Sequence, residues 1–325
     1  MIGNRQLESD QRKPLRGYLY IAVATFFWGV AASLGRAAFT GRLPGLQALR
    51  PIEPLILSQS RTTFSFLVFL PVLALSRGWR RLRLPPVDMG KTFLLGILGV
   101  AASNYLYYRA IQRTNVATAI ILQYTAPIWV LLYSVARGLQ RPTLRRVASV
   151  GLAVAGIAMV IGMVGPGALR LDAAGVTAAL LASFSFAFYN IGGHSILARY
   201  DRWTVLLYTT FSAALFWMVV NPPWKIAAAH YSGGQWLFLA VFSMLSVLAP
   251  FSFYFAGLQH LEPTRAVVAS CLEPVFSIVI AAIVLGEVMR PLQTVGIVMV
   301  LAAIVVVQLP DAKSRDAVTV VEPIE

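Results

Sequence analysis

Residues 257–287 read GLQHLEPTRAVVASCLEPVFSIVIAAIVLGE, and their interpretation decides the fold. From Ala266 onward the run is apolar enough for hydrocarbon, yet Glu273 and Pro274 stand side by side inside it. A charge at the centre of a bilayer costs about 2.5–3.5 kcal/mol even on lenient insertion scales. A proline in a helix removes a backbone donor and kinks or breaks the helix. Two disfavoured residues together imply either compensation by neighbours or a use.

Working outward, the whole chain has the same character. It has 325 residues, 58% hydrophobic and only 12% charged, with a mean hydropathy of +0.71. A soluble domain carries about 25% charged residues, so this composition cannot cover a water-solvated surface. Helices and closed barrels satisfy their own backbone in lipid. The apolar runs are too continuous for barrel strands, which alternate over about ten residues. An all-α polytopic membrane protein follows.

A span needs about 20 mostly apolar residues, and about ten such runs are present: 17–38, 54–75, 92–112, 117–136, 147–164, 174–197, 203–220, 235–257, 264–286 and 292–309. Segments 1–16 and 310–325 are polar ends. The N-terminal segment is mixed in charge and lacks a cleavage site, so the first span is expected to remain as an anchor. The net charge of +14 resides in short connectors, as the positive-inside rule describes, and not in a basic, aromatic-interleaved surface for nucleic acid. With both termini in the cytoplasm, about eighteen of the 27 Lys and Arg fall on that side. Trp79, Trp203, Trp224 and Trp236 lie near span ends, as interfacial anchors do.

The chain also resembles itself. Ala110–Pro127 (AIQRTNVATAIILQYTAP) lies over Gly257–Pro274 (GLQHLEPTRAVVASCLEP) with a constant offset of about 147, pairing Gln112 with Gln259 and Pro127 with Pro274. Gly151 then matches Gly296 across a small gap. The expected domains are a five-helix repeat over 17–164 and a second over 174–309. An odd number of spans per repeat inverts the second relative to the first, the architecture in which transporters bind substrate near the bilayer midplane.

Phe26–Gly29 (FFWG), Ser60–Pro71 (SRTTFSFLVFLP), the paired connectors 110–119 and 257–266, and 272–287 with its Gly286-Glu287 ending together resemble the drug/metabolite transporter superfamily, in its EamA-type ten-helix branch. The resemblance implies a carrier with alternating access around a cavity lined by the first, third, fourth, sixth, eighth and ninth helices. It also implies export of amino acids or related small metabolites from a bacterial inner membrane. Nucleotide-sugar, sugar-phosphate and drug exchange belong to the same superfamily and remain alternatives. The first repeat has no acid where the second has Glu287.

Ser270, Glu273 and Ser277 share one helical face. The corresponding face of the fourth span carries Gln123, Ala126 and Val130, with Tyr124 beside it. Glu273 lies about nine residues, or roughly 14 Å, into its span. Three roles compete for it: a buried group bonded to a neighbouring helix, a contact for a cationic or amino group of the substrate, or a proton-coupling carboxyl. Pro127 and Pro274 are read as kink formers. Trp28, Asn104, Tyr105, Tyr108, Tyr189 and Asn190 are candidate cavity residues, for which interhelical packing or hydrogen bonding is an equal explanation. Arg61 is expected to pair with an acid or to face the outer vestibule. His194, His230 and His260 form no metal or catalytic motif, Cys271 is the single cysteine, and no cofactor is expected. The expected partners are a small-molecule substrate, the lipid bilayer and the coupling proton. An intramembrane enzyme and a channel are the rival classes.

Overall fold

The structure, a computed structural model, describes residues 14–39, 51–78, 82–114, 116–160, 172–285 and 290–309. Segment 1–13, the tail 310–325, Trp79 and the Gly286-Glu287 ending lie outside the described residues. Every regular element described is helical. The first half contains α1 (Pro14–Phe39), α2 (Pro54–Arg77) and α3, whose pieces Pro86–Leu94 and Ala102–Arg113 are joined by a π-helical stretch, Leu95–Ala101. It continues with α4 (Val116–Gln123 and Ala126–Ala136) and α5 (Leu144–Val160).

The second half contains α6 (Ala173–Leu197), α7 (Arg202–Val220) and, after a short helix Pro223–Ala227, α8. α8 comprises Gly233–Ser243 and Ala249–Leu258 around a π-helical stretch, Met244–Leu248. It is followed by α9 (Pro263–Ser270 and Leu272–Leu285) and α10 (Pro291–Gln308). By length and composition 5 of the described helical segments can cross a membrane. Large apolar side chains such as Leu75, Val219 and Leu237 stay exposed on the outer surface. They face lipid, where exposure of an apolar group costs nothing.

Helix starts follow local chemistry. Proline occupies the first turn of α2, α3, α9 and α10, where its missing N–H has no intrahelical partner to lose. Asp172 caps α6 by accepting from the Gly175 N–H at 2.9 Å. Asp201 caps α7 through the Trp203 N–H at 3.1 Å.

The packing has a two-fold pattern. α5 pairs with α10 and α2 with α7, while α1 lies against α8 and α9 just as α6 lies against α3 and α4. Exchanging each helix for the one five further along leaves this set of neighbours unchanged. At the α5–α10 crossing a Cβ on Gly296 would sit 2.6 Å from the Gly156 carbonyl oxygen, and one on Gly156 would sit 2.8 Å from the Gly296 oxygen. Backbone meets backbone there, and only glycine fits. The sequence match of Gly151 with Gly296 therefore differs from the spatial partnership. Gly151 borders open space, and Gly156 makes the contact.

Distortions repeat as well. The π-helical stretches of α3 and α8 lie near the same offset as the sequence repeat. α4 is interrupted at Tyr124–Thr125 and α9 at Cys271, again about 147 residues apart. Each interruption comes just ahead of a proline, Pro127 or Pro274, whose ring excludes the carbonyl four residues earlier. The chain tightens instead, with Thr125 N–H bonding to Leu122 O at 3.2 Å and Cys271 N–H to Val268 O at 3.2 Å.

Four connectors gather at one end of the bundle, together with the start of α1. Tyr200 donates to Asp88 at 2.5 Å, and Arg77 pairs with Asp201 at 2.7 Å. His194 Nδ1 lies 3.0 Å from Leu258 O. Gln140 Nε2 donates to Glu262 at 3.1 Å, while Thr264 donates to Gln140 Oε1 at 3.0 Å. This is the end rich in arginine, and the Gln140–Glu262–Thr264 link ties the first half to the second. Tyr200 and Lys91 hold the Asp88 carboxyl below its usual range by hydrogen bonding to the anion.

Candidate functional site

Glu273 enters the structure through the interruption in α9. Because Cys271 ends one helical piece and Leu272 starts the next, Glu273 occupies a first helical turn, where a carboxylate is favoured by the unpaired N–H groups. Its Oε2 accepts a hydrogen bond from the Tyr124 hydroxyl at 2.6 Å. Tyr124 is itself at the interruption of α4, so the two broken helices meet through this bond. The other carboxylate oxygen has no partner among the described residues, and the residue is half-buried.

Gly29, from the FFWG stretch, makes this placement possible. A Cβ there would lie 3.1 Å from Ser277 N and 3.3 Å from Glu273 O. The absent side chain lets α1 press on the first turns of α9. Ser277 shares the Glu273 face and reaches the Gly29 carbonyl at 3.5 Å.

A second charge lies in the interior. Arg61 of α2 is 9% exposed. Its Nε donates to Ser246 Oγ at 2.9 Å, its Nη2 to Ser246 O at 2.8 Å and its Nη1 to the Tyr108 hydroxyl at 3.1 Å. The guanidinium also stands over the Phe242 ring, 5.7 Å from its centroid. Ser246 belongs to the π-helical stretch of α8, where widened backbone turns leave carbonyls available to side chains. The same occurs in α3, where the Ser185 hydroxyl donates to the Leu98 carbonyl. Against the expectation of an acidic partner, Arg61 bonds only neutral groups among the described residues.

Trp28, Tyr189 and Asn190 belong to a buried aromatic cluster between α1, α6 and α8. Trp28 lies 5.1 Å from Tyr254 and 5.2 Å from Phe251, centroid to centroid. Tyr189 stacks on Phe255 at 5.3 Å. Asn190 accepts from the Tyr254 hydroxyl and donates to the Phe186 carbonyl. The Tyr189 hydroxyl is buried with no hydrogen-bond partner among the described residues.

The remaining candidates divide. Ser270 is fully buried and donates to the Val267 carbonyl at 2.7 Å, which places its hydroxyl in helix-terminal bonding. Gln123 is half-buried one residue before Tyr124. Asn104 donates to the Val100 carbonyl of its own helix at 2.9 Å. Tyr105 is 36% exposed and lies edge-on to Trp217 of α7, whereas Tyr108 joins Arg61. Ser246, the anchor of Arg61, carried no signal in the sequence, because the π-helical turn that presents its carbonyl has no residue signature. Separately, an apolar cleft of about 390 Å³ between α1, α2, α7 and α8 is lined by Tyr20, Val68, Val72, Trp203 and Phe253. It contains none of the candidate residues. Among the described residues no group of three His, Cys, Asp or Glu forms a metal cluster.

A helical bundle built from two similar halves, with opposite charges in its interior, defines a polytopic membrane transporter. The EamA-like transporter family matches residues 15–162 and again 173–309, and the chain belongs to that family. Its interaction partners are therefore a small-molecule solute and the lipid around it. The chain is 20% identical over 302 residues to YicL of Salmonella typhimurium, described as an uncharacterized inner membrane transporter, covering 92% of this chain and 97% of that protein. It is 28% identical over 288 residues to the threonine/homoserine exporter RhtA of Escherichia coli K12, covering 88% of each. A solved crystal structure at 18% identity superimposes with a TM-score of 0.73 over 93% of this chain and 99% of the other, a likeness in fold.

Proposed function

We propose that this protein is a secondary-active exporter of amino acids or related small metabolites, working by alternating access around a midplane site between its two halves. The observation that carries this is the hydrogen bond from Tyr124 to Glu273, at the interruptions of two repeat-related helices. A polar pair at that place is where a rocking of one half on the other changes both its partners and its access. The match over most of the chain to an exporter of threonine and homoserine supports the amino-acid class.

In this proposal Glu273 both contacts the substrate and carries the coupling proton, taking it up when the substrate leaves. Tyr124 is the group bonded to it. The arginine-rich end faces the cytoplasm, with both termini on that side, in a bacterial inner membrane. The domains are the two repeats, 17–164 and 174–309, flanked by cytoplasmic segments 1–16 and 310–325.

The test is flux into proteoliposomes with a panel of amino acids, sugar phosphates and nucleotide sugars. Saturable uptake and counterflow of amino acids are expected, with accumulation driven by a pH gradient. No saturable flux of any amino acid would sink the substrate class. Glu273→Gln is expected to abolish pH-driven accumulation and to retain counterflow. Full pH-driven accumulation in that variant would remove Glu273 as the coupling carboxyl.

A further inference from the structure

We infer that Arg61 and Glu273 form the two poles of a clamp for the zwitterionic head of an α-amino acid, Arg61 taking the carboxylate and Glu273 the ammonium group. This rests on the amino-acid reading above and adds the residues and the chemistry by which that class is recognised.

Arg61 on α2 and Glu273 on α9 both lie within helices that cross the membrane, and each charge there costs about 2.5–3.5 kcal/mol or more if uncompensated. The obvious compensation is a direct ion pair, and the fold does not make it. Arg61 has no carboxylate within 4.0 Å among the described residues, and Glu273 has no cation that close. Both border α1: the Phe242 ring beneath Arg61 lies 3.7 Å from where a Cβ on Gly35 would be, and the Glu273 carbonyl 3.3 Å from one on Gly29, six residues or about 9 Å along the same helix. The two charges thus flank one stretch of α1 and stand too far apart to bond.

Each pole is held in place by neutral groups. Three of the five guanidinium N–H bonds of Arg61 are engaged, two by Ser246 and one by Tyr108. The remaining two hydrogens lie on Nη1 and Nη2, the fork that grips a carboxylate in bidentate fashion. On Glu273 one oxygen is fixed by Tyr124 and the other has no partner among the described residues. Tyr107 packs against Tyr108 with centroids 5.5 Å apart. Two opposite charges, each anchored by neutral groups and each with hydrogen-bonding capacity left over, match a ligand that carries both charges on adjacent atoms of one carbon.

The anchors come from α3, α4 and α8, while the poles come from α2 and α9. Both halves of the repeat therefore contribute, and a bound zwitterion would bridge them. A solute with only one of the two charges would leave the other pole with its neutral anchors alone, and the missing charged hydrogen bond counts against it.

The experiment measures competition in proteoliposomes against a transported amino acid, using the free acid, its carboxamide, its methyl ester and its N-acetyl derivative. Wild type is expected to prefer the zwitterion over each analogue by about tenfold to a hundredfold, the range for losing one charged hydrogen-bond partner. Arg61→Gln is expected to lose the preference over the carboxamide while keeping the preference over the N-acetyl form. Glu273→Gln is expected to show the reverse. Arg61→Lys, which keeps the charge, should retain a weakened carboxylate preference and serves if Arg61→Gln does not fold. Wild type that accepts carboxamide and ester as well as the free acid overturns the clamp alone. So does an Arg61 variant that weakens all four ligands equally. Absence of transport for every amino acid overturns the functional reading, and the clamp with it.

Discussion

α4 and α9 occupy equivalent places in the two halves, break at equivalent residues and resume just ahead of equivalent prolines. At the break of α4 the chain reads Tyr124-Thr125-Ala126-Pro127, and at that of α9 Cys271-Leu272-Glu273-Pro274. The α4 break is closed by neutral hydroxyls. Thr125 donates to the Leu122 carbonyl at 2.6 Å and shares a hydrogen bond with Ser183 of α6 at 2.9 Å. Ala126 beside it is fully buried against Ala187 and Val267. The α9 break instead holds a carboxylate, which reaches across to Tyr124 of the other break. Duplication supplied the shape twice, and one acidic position made the two copies chemically unequal.

The most severe way to break this comparison is to restore the symmetry. Ala126→Glu would place a second carboxyl in a fully buried site with no partner, a fault that costs about 3–5 kcal/mol. Its folded yield and melting temperature in detergent are expected to collapse, while Ala126→Ser is tolerated. A mild effect of the glutamate would mean that the α4 break has the same access as the α9 break. Next in size, Gly296→Leu would drive a side chain into backbone 2.6 Å away. Overpacking costs about 1–3 kcal/mol, and a rigid backbone neighbour puts this site at the upper end. Size-exclusion profiles would show the loss of monodisperse protein, and Gly151→Leu serves as the harmless control.

Tyr124→Phe tests the bridge between the breaks. It removes the donor to Glu273, and hydrogen bonds to charged groups are worth about 1.5–3 kcal/mol. A lower melting temperature and loss of pH-driven accumulation, with counterflow kept, are expected, and adding Glu273→Gln brings no further loss. Additive losses would mean that the two residues act separately. Smaller still, Gln140→Ala would release the link from the α4–α5 connector to Glu262 and Thr264, a change of about 0.5–1.5 kcal/mol. Faster hydrogen exchange in the α8–α9 connector would report it.

The smallest effect is expected from acid. The Asp88 carboxyl is held below its normal value of 3.8, first by the Tyr200 hydrogen bond and then by Lys91. A depressed carboxyl contributes stability above its unfolded value and loses it as pH falls through the lower folded value. The α2–α3 and α6–α7 connectors should therefore loosen only below about pH 4. Asp88→Asn should make local protection at Tyr200 independent of pH in that range, measured by hydrogen exchange.

Much of this was legible in the residues. The apolar runs place the helices to within a few residues, because twenty apolar residues in lipid have one way to satisfy their backbone. The offset of 147 locates both breaks, because a proline acts on its own preceding turn. Glu273, Tyr124 and Tyr108 stood out as polar groups in hydrocarbon.

What the sequence could not contain is who meets whom. That Tyr124 bonds Glu273 across the two halves, and that Gly156 and not Gly151 faces Gly296, depends on how the helices rotate against each other. Arg61 was expected to pair with an acid or to face the outer vestibule, and its bonds go to a serine on a π-helical turn and to a tyrosine. Composition and periodicity act along one chain and so determine span, class and repeat. Partnerships between polar groups depend on interhelical distances of a few ångströms, which only the packed bundle decides.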